Sequence, residues 1–345
     1  MKHKSNCLVL DWFRSSRGDN SLLRRNLFWI YNYLYNARLF DKPVEHYSQP
    51  LQQVEAVFCA HRLDMNEFSW AYLYDYLNKF PLAYNFFLDT CDADLIIGYE
   101  LSRAQLRALD TEGKTYINLC THPIRFTPDY FLAASTNSPE IHTRLEAVGP
   151  MREYIDVNVR MAMARAARRY HKRLDTDEGL IFFAQTAVDA SRISNGELVG
   201  TEFIISEIKF LLRELNISNF YIKSHPHEKI DPLLLSELTK LKGKEITTNT
   251  YDLLSVDNLK LCALSSGVCH EALYFNCHPY RFLEDDNKFP IIGEEAAIGQ
   301  YLPLPANVYS REVWDYILYG GKEKPATNWP LPHTPYRAAS GLAWG

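Results

Sequence analysis

Short apolar runs alternate with amphipathic stretches along most of the chain. Residues 7–10, 54–59, 93–99 and 115–120 are mostly apolar runs of strand length, the third ending at Glu100. Such runs, bounded by turn residues, predict buried strands. Between them, 22–40, 67–80 and 103–109 carry apolar residues at helical spacing, with Asn20-Ser21 and Ser102 where N-caps belong. A long basic helix is predicted over about 156–174, and Thr176-Asp177-Glu178-Gly179 breaks the pattern. The alternation then restarts. Strands are predicted at 180–184, 220–223 and 259–264, with an extended segment at 278–282. Helices are predicted at 202–215, 232–241, 267–275 and 310–319. Beyond Gly320 the chain is rich in Pro, Gly and Trp and shows no period.

Strands that alternate with helices predict an α/β fold of parallel sheets covered by helices on both faces. Two such runs predict two Rossmann-like lobes, residues 1–175 and 176–308, followed by a helix and tail over 309–345. A length of 345 residues suits two domains. Hydrophobic residues at 47% and charged residues at 23% exclude a disordered chain. The 42 acidic residues outnumber the 37 basic ones, for a net charge of −5, which argues against a nucleic-acid partner. The 22 tyrosines suit pockets that stack on rings or sugars, although cores use them equally. Seven cysteines, an odd number without CxxC spacing, lie mostly in apolar runs, so buried thiols in a reducing compartment are expected. Only a few apolar residues follow the basic start Met1-Lys2-His3-Lys4, and no apolar run reaches membrane-spanning length. A cytoplasmic protein is the expectation. The predicted basic helix holds Arg160, Arg165, Arg168, Arg169, Lys172 and Arg173. Such a face is usually solvated, and it also suits anionic headgroups, so peripheral membrane contact stays open.

In open parallel sheets ligands bind beyond the carboxyl ends of the strands, so the polar residues that follow strands are the ones to weigh. In the second half these are Gln185, Asp189 and Ser191, then Lys223 and His225-Pro226, then Ser265-Ser266-Gly267 with Glu271. A serine pair between a strand and a helix suits a phosphate, and equally a simple N-cap. His225 and Lys223 add donors on the neighbouring strand, and Glu271 can accept from ribose hydroxyls. His-Pro also occurs at His122 and His278, so the dipeptide alone is weak; His122 could face an acceptor. Asp189 and Glu100 are the carboxylates best placed for glycosyl chemistry, in which one attacks or stabilises the anomeric centre and the other moves a proton. Asp189 also reads as the start of an Asx turn, and Glu100 as an exposed residue ahead of a helix. Asp92-Ala-Asp94 and Asp175-Thr-Asp177 read as turns and caps rather than metal sites, and no His/Cys cluster has zinc spacing. No metal and no cofactor is expected. The chain has no GxGxxG, Walker or GxSxG motif.

The order QxxxDxS, KxHP, SSGxxxEA, spanning about residues 180–282, resembles the retaining β-Kdo transferases of capsule and O-antigen assembly, which are similar to bacterial sialyltransferases. The resemblance implies a GT-B fold, two Rossmann-like lobes across a cleft with a C-terminal helix returning to the first lobe. It implies transfer of 3-deoxy-manno-octulosonic acid (Kdo) from CMP-Kdo to a glycan or glycolipid, without metal. Asp189 would be the catalytic carboxylate; in the first lobe the resemblance rests on fold pattern only, and Glu100 is expected from its own position to be the base from the facing lobe. Lys223 and His225 would serve the phosphate side, Ser265 and Ser266 the CMP phosphate, and Glu271 the nucleotide; apart from the resemblance, Lys223 or Arg281 is the cation expected to meet the Kdo carboxylate. Gln185, Ser191 and Gly267 complete the motif set. The chain departs from the capsule-type pattern by carrying Cys269-His270 ahead of Glu271-Ala272. A chain of this kind can be one module of a longer protein. A CMP-sialic acid transferase, a CDP-polyol phosphotransferase and a non-catalytic nucleotide-binding scaffold are the alternatives.

Overall fold

The computed structural model describes residues 6–14, 21–35, 37–40, 43, 51–169, 179–226, 228–283, 289–305, 307–321, 323–326 and 337. Asn20, Lys172, Arg173, Asp175 to Glu178 and most of the tail lie outside them. Twelve strands are described: β1 (Asn6–Leu10), β2 (Leu95–Tyr99), β3 (Thr115–Thr121), β4 (Leu132–Thr136), β5 (Leu180–Phe183), β6 (Ile193–Ser194), β7 (Glu197–Leu198), β8 (Phe220–Lys223), β9 (Lys244–Glu245), β10 (Lys260–Ala263), β11 (His278–Arg281) and β12 (Leu302–Pro303).

They form two five-stranded sheets and a small ladder of β6 with β7. The second sheet is parallel throughout, in the order β11-β10-β5-β8-β9. Counted along the chain, this is the 3-2-1-4-5 order of a doubly wound sheet, whose direction reverses between β5 and β10. Its central strands β5, β8 and β10 are nearly continuous apolar runs, as burial on both faces requires, while the edge strands β9 and β11 are polar and largely exposed. One face is covered by the helices Thr201–Glu214 and Pro232–Lys240, through Ile204, Ile208 and Leu238. The other packs against Ile155 and Val159 of the helix Arg152–Arg169 and against Leu253, Leu254 and Cys269.

The first sheet runs β1-β2-β3-β4-β12. Its first three strands are parallel, but β4 and β12 pair antiparallel, so the expectation of a fully parallel sheet is corrected. Residues 54–59 are also corrected: they lie in the helix Leu51–Ala60. Val54, Val57 and Phe58 are its buried residues, at the spacing of one helix face. After the second sheet the chain returns to the first. β12 completes the edge, and Val313, Trp314 and Ile317 of the helix Arg311–Tyr319 enter the core beneath that sheet. Arg144 on the helix Pro139–Val148 donates to the carbonyls of Ile317 and Leu318 at 3.1 and 2.9 Å. No helix among the described residues is long and apolar enough to cross a membrane.

Candidate functional site

The carboxyl ends of β5 and β10, at the reversal point of the second sheet, are tied by side chains. Gln185 follows β5; its Oε1 accepts from the Ser265 N–H at 2.8 Å, and its Nε2 donates to Ser191 Oγ at 3.1 Å and Ser265 Oγ at 3.3 Å. Ser265 Oγ in turn donates to the Ser191 carbonyl at 2.6 Å. Ser265 is 5% exposed and its hydroxyl proton goes to the Ser191 carbonyl, so in this arrangement it holds the 185–191 loop.

That loop presents Asp189. Its Oδ1 accepts from Ser191 N and Ser191 Oγ, both at 2.9 Å, forming the Asx turn that opens the short 3-10 turn Ala190–Arg192. Oδ2 makes no hydrogen bond among the described residues. The turn reading and the catalytic reading of Asp189 are therefore compatible: one oxygen fixes the carboxylate and the other is left for chemistry. Beyond it, Arg192 donates to the carbonyls of Thr186, Ala187 and Val199, closing the loop on itself.

A cavity of about 610 Å³ opens at this point, lined among others by Gln185, Asp189, Ser191, Lys223, His225, Ser266, Gly267 and Glu271. Burial lowers the Lys223 pKa. Ser266 precedes the helix Val268–Ala272, shorter than expected because residues 273–275 tighten into a 3-10 turn. Gly267 faces Pro123 of the loop after β3: a Cβ at Gly267 would lie 3.0 Å from Pro123 Cβ. Glu271 lines the same cavity, but its Oε1 accepts from the Arg125 N–H at 2.6 Å and from Tyr251 OH at 3.2 Å. Burial raises its pKa to about 7, against these donors. The ribose-accepting role expected of Glu271 thus competes with a structural one, holding the loop of the first sheet against the second.

A second cavity, of about 390 Å³, shares Pro123, Arg125, Thr186, Asp189, Ser191, Ser265 and Gly267 with the first. It extends to Arg14, Trp29, Tyr99, Glu100 and Tyr301. Glu100 and Asp189, expected from opposite halves of the chain, therefore line one cavity. Glu100 follows β2 with φ of 52°, a left-handed backbone, and its Oε2 accepts from Arg14 Nη1 at 2.8 Å. Partial burial works against the charge of Arg14, yet its pKa is raised by Glu100, Asp189 and Asp11 around it. Asp11 accepts from Trp70 Nε1 at 2.8 Å, Gln105 Nε2 at 3.1 Å and the Phe13 N–H; burial raises its pKa to about 6.

Two expected residues lie elsewhere. Arg281 ends the edge strand β11 and lines neither cavity, because β10 stands between it and β5. His122 is fully buried, its ring edge-on to His270 at 5.5 Å and to Phe289 at 5.2 Å, and it faces no acceptor space. Sequence reasoning missed Arg14 and Arg125. Both follow strands of the first sheet, the same signal that singled out His225 and Ser265. Among the described residues no group of three or more His, Cys, Asp or Glu is arranged to hold a metal.

No protein-family model matches the chain, and no curated protein matches it. Among the solved structures that match, two are similar over part of it as follows. One is Thermosulfurimonas dismutans KpsC, a β-Kdo 2,4-transferase, at 16% identity and a TM-score of 0.33, covering 54% of this chain and 68% of that one. The other is Thermosulfurimonas dismutans KpsC, a β-Kdo 2,7-transferase, at 19% identity and a TM-score of 0.33, covering 55% of this chain and 65% of that one. The chain spans about two thirds of the length of each.

Proposed function

We propose that this protein is a glycosyltransferase that moves Kdo from CMP-β-Kdo to a glycan or glycolipid acceptor of bacterial surface polysaccharide, such as capsule, O-antigen or lipopolysaccharide. The observation that carries the reading is the meeting of two cavities at one carboxylate, Asp189. The larger has the size of a nucleotide-sugar site and lies at the reversal point of a doubly wound sheet. It presents Lys223, His225 and Ser266 to a phosphate. The smaller offers Trp29, Tyr99 and Tyr301 to a sugar ring and carries Glu100. The motif order of residues 185–271 supports the same donor. A GT-B division, with the acceptor on the first sheet and the donor on the second, belongs to this proposal.

CMP-Kdo holds its sugar in the β configuration, so a β-linked product needs two inversions. In the first, Asp189 Oδ2 attacks the anomeric carbon, the bond to the phosphate oxygen breaks, and CMP leaves with the electron pair. Lys223 and His225 stabilise the departing phosphate. In the second, Glu100 takes the proton of the acceptor hydroxyl, whose oxygen displaces Asp189. Arg125, in the wall of both cavities, is the cation placed to meet the donor carboxylate. No step calls for a metal, and activity is expected to survive a chelator.

Incubation with CMP-Kdo and no acceptor should add the mass of one Kdo residue, and Asp189→Ala should abolish the adduct. CMP should raise the melting temperature, as a ligand of the folded state does. No adduct together with an α-linked product makes Asp189 a base and overturns the retaining route. An adduct from CMP-sialic acid in place of CMP-Kdo, or stabilisation by CDP alone, moves the donor to the alternative enzymes. No stabilisation by CMP, CDP or UDP leaves a non-catalytic scaffold.

A further inference from the structure

The helix Arg152–Arg169 has two apolar faces, and only one is used by the fold. Ile155, Asn158, Val159 and Ala166 are buried, and Ile155 and Val159 belong to the second sheet's core. At 3.6 residues per turn, Val157, Met161 and Ala164 form a stripe on the opposite side, with Arg168 at its end, Arg160 on one flank and Arg165 on the other. All six residues are exposed, Val157 at 53% and Met161 at 46%. Arg160, Arg165 and Arg168 make no ion pair among the described residues. The other charges are accounted for. Arg169 pairs with Asp252 at 3.1 Å, and Arg152 takes Asp156 at 2.8 Å. Glu153, in the first turn, is the one acid left on the exposed side, and no acid follows Asp156 within the helix.

We propose that this face docks on the surface of an anionic phospholipid bilayer. The match is one of charge and of shape. An apolar strip flanked by arginines lets the apolar side chains enter the headgroup boundary while the guanidinium groups stay with the phosphates. Nucleic acid would reward the arginines but not the exposed Val157 and Met161. A protein partner large enough to bind stably buries on the order of 800 Å² per side, more than one helix stripe supplies. The chain as a whole is acidic at −5, so the concentration of unpaired arginine on one helix stands against the general charge and sets the orientation of approach. The proposal is independent of the transfer reaction and stands or falls separately.

The test is co-sedimentation of the full chain with phosphatidylcholine vesicles, with and without phosphatidylglycerol. Binding to the anionic vesicles is expected, weakened by added salt. The triple variant Arg160→Gln, Arg165→Gln, Arg168→Gln should lower the partition coefficient on the order of a hundredfold, since each basic residue near such a surface contributes several-fold. The double variant Val157→Ser, Met161→Ser should weaken binding roughly tenfold through lost apolar burial. Melting curves matching the parent protein keep a folding defect from passing as a binding defect. Absence of binding by the parent chain, or unchanged binding by the triple variant, overturns the proposal. So does competition by soluble heparin with no effect of the apolar variant, which would mark a general polyanion site. A dimer in solution that the apolar variant dissociates overturns it in favour of a second copy.

Discussion

Glu100 sits in the left-handed region with φ of 52°, where a non-glycine residue costs about 1 kcal/mol. Three things hold it there. Its N–H donates to the Leu119 carbonyl at 2.8 Å, its carboxylate pairs with Arg14, and Gly98, two residues before, leaves room for Leu101. A Cβ at Gly98 would come within 2.4 Å of Leu101 Cδ1. Backbone strain of this kind is commonly kept where it aims a side chain. Arg14 is the residue through which Glu100 and Asp189 feel one another. Arg14→Gln should lower kcat on the order of a hundredfold, the size of a positioned general base's contribution, with Arg14→Lys recovering part of it. A variant that keeps full kcat would show that the pair only packs the cavity. Glu271 gives a second test. Its folded pKa, about 7, lies above the ordinary 4.5, so the folded state binds the extra proton between these values and loses stability as pH rises through them. Glu271→Gln keeps an acceptor for Arg125 N–H and removes the titration. Denaturation between about pH 5 and 7.5 should show the variant gaining on the parent protein as pH rises, by at most roughly 3 kcal/mol. A constant difference would mean that Glu271 is already ionised in the folded protein.

At the scale of elements, the hairpin of β6 and β7 fixes the far end of the loop that presents Asp189. Asp75 receives it: Oδ2 accepts from the Gly196 N–H at 2.7 Å, while Arg103 donates from Nε to Oδ1 at 2.8 Å and from Nη2 to the Ile193 carbonyl at 2.9 Å. Gly196 has φ of 77°, and a Cβ there would lie 2.7 Å from the Tyr76 ring. Gly196→Ala should therefore destabilise by about 1–3 kcal/mol and speed amide exchange over 186–199; a melting temperature equal to the parent's would contradict the tight fit. The central strands of the second sheet were legible in the sequence because they are short apolar runs that end in polar residues; the two-residue edge strand β9, Lys244–Glu245, carries no such signal. That pattern alone put forward Gln185, Asp189, His225 and Ser266, which line one cavity. The first sheet was less legible for physical reasons. Residues 54–59 are too short an apolar run for a period of 2 to be told from one of 3.6. β4 reads Leu-Ala-Ala-Ser-Thr, without a β-branched or aromatic residue before its last position, and is buried only because β3 and β12 flank it. β12 is Leu302–Pro303, two residues that acquire strand geometry from their partner. Arg14 escaped attention because three residues separate it from the end of β1, and its value comes from Glu100, 86 positions away.

Across the whole molecule, the two sheets meet through small, buried contacts: Glu271 with the Arg125 N–H, Gly267 against Pro123, Asp75 with Gly196, and His122 beside His270. The histidine pair makes this junction acid-sensitive. Burial holds the His270 pKa down at about 3 and His122 well below its ordinary 6.5, and the Nε2 atom of each has no hydrogen-bond partner among the described residues. Folded values below the unfolded one mean that the unfolded chain binds more protons, so stability falls as pH drops below 6.5. Asp11, raised to about 6, and Glu271 offset part of this. His270→Phe removes the titration without orphaning a bond, and should lose less stability than the parent protein between about pH 6.5 and 5. An equal loss in both would place the acid sensitivity elsewhere.

The path of the chain has one more consequence. Residues 180–281 supply all five strands of the second sheet, with only the β6–β7 ladder between them, whereas the first sheet has its first strand at Asn6–Leu10 and receives its last strand at Leu302 and core residues as late as Ile317. On the ribosome the first sheet starts first and finishes last. Until residues 302–317 emerge, the outer edge of β4 stays bare and the hydrophobic slot of Trp314 stays empty, a state exposed to wrong strand pairing. The sheet that carries the proposed nucleotide cavity can close on itself while its neighbour still waits for the pieces that complete it.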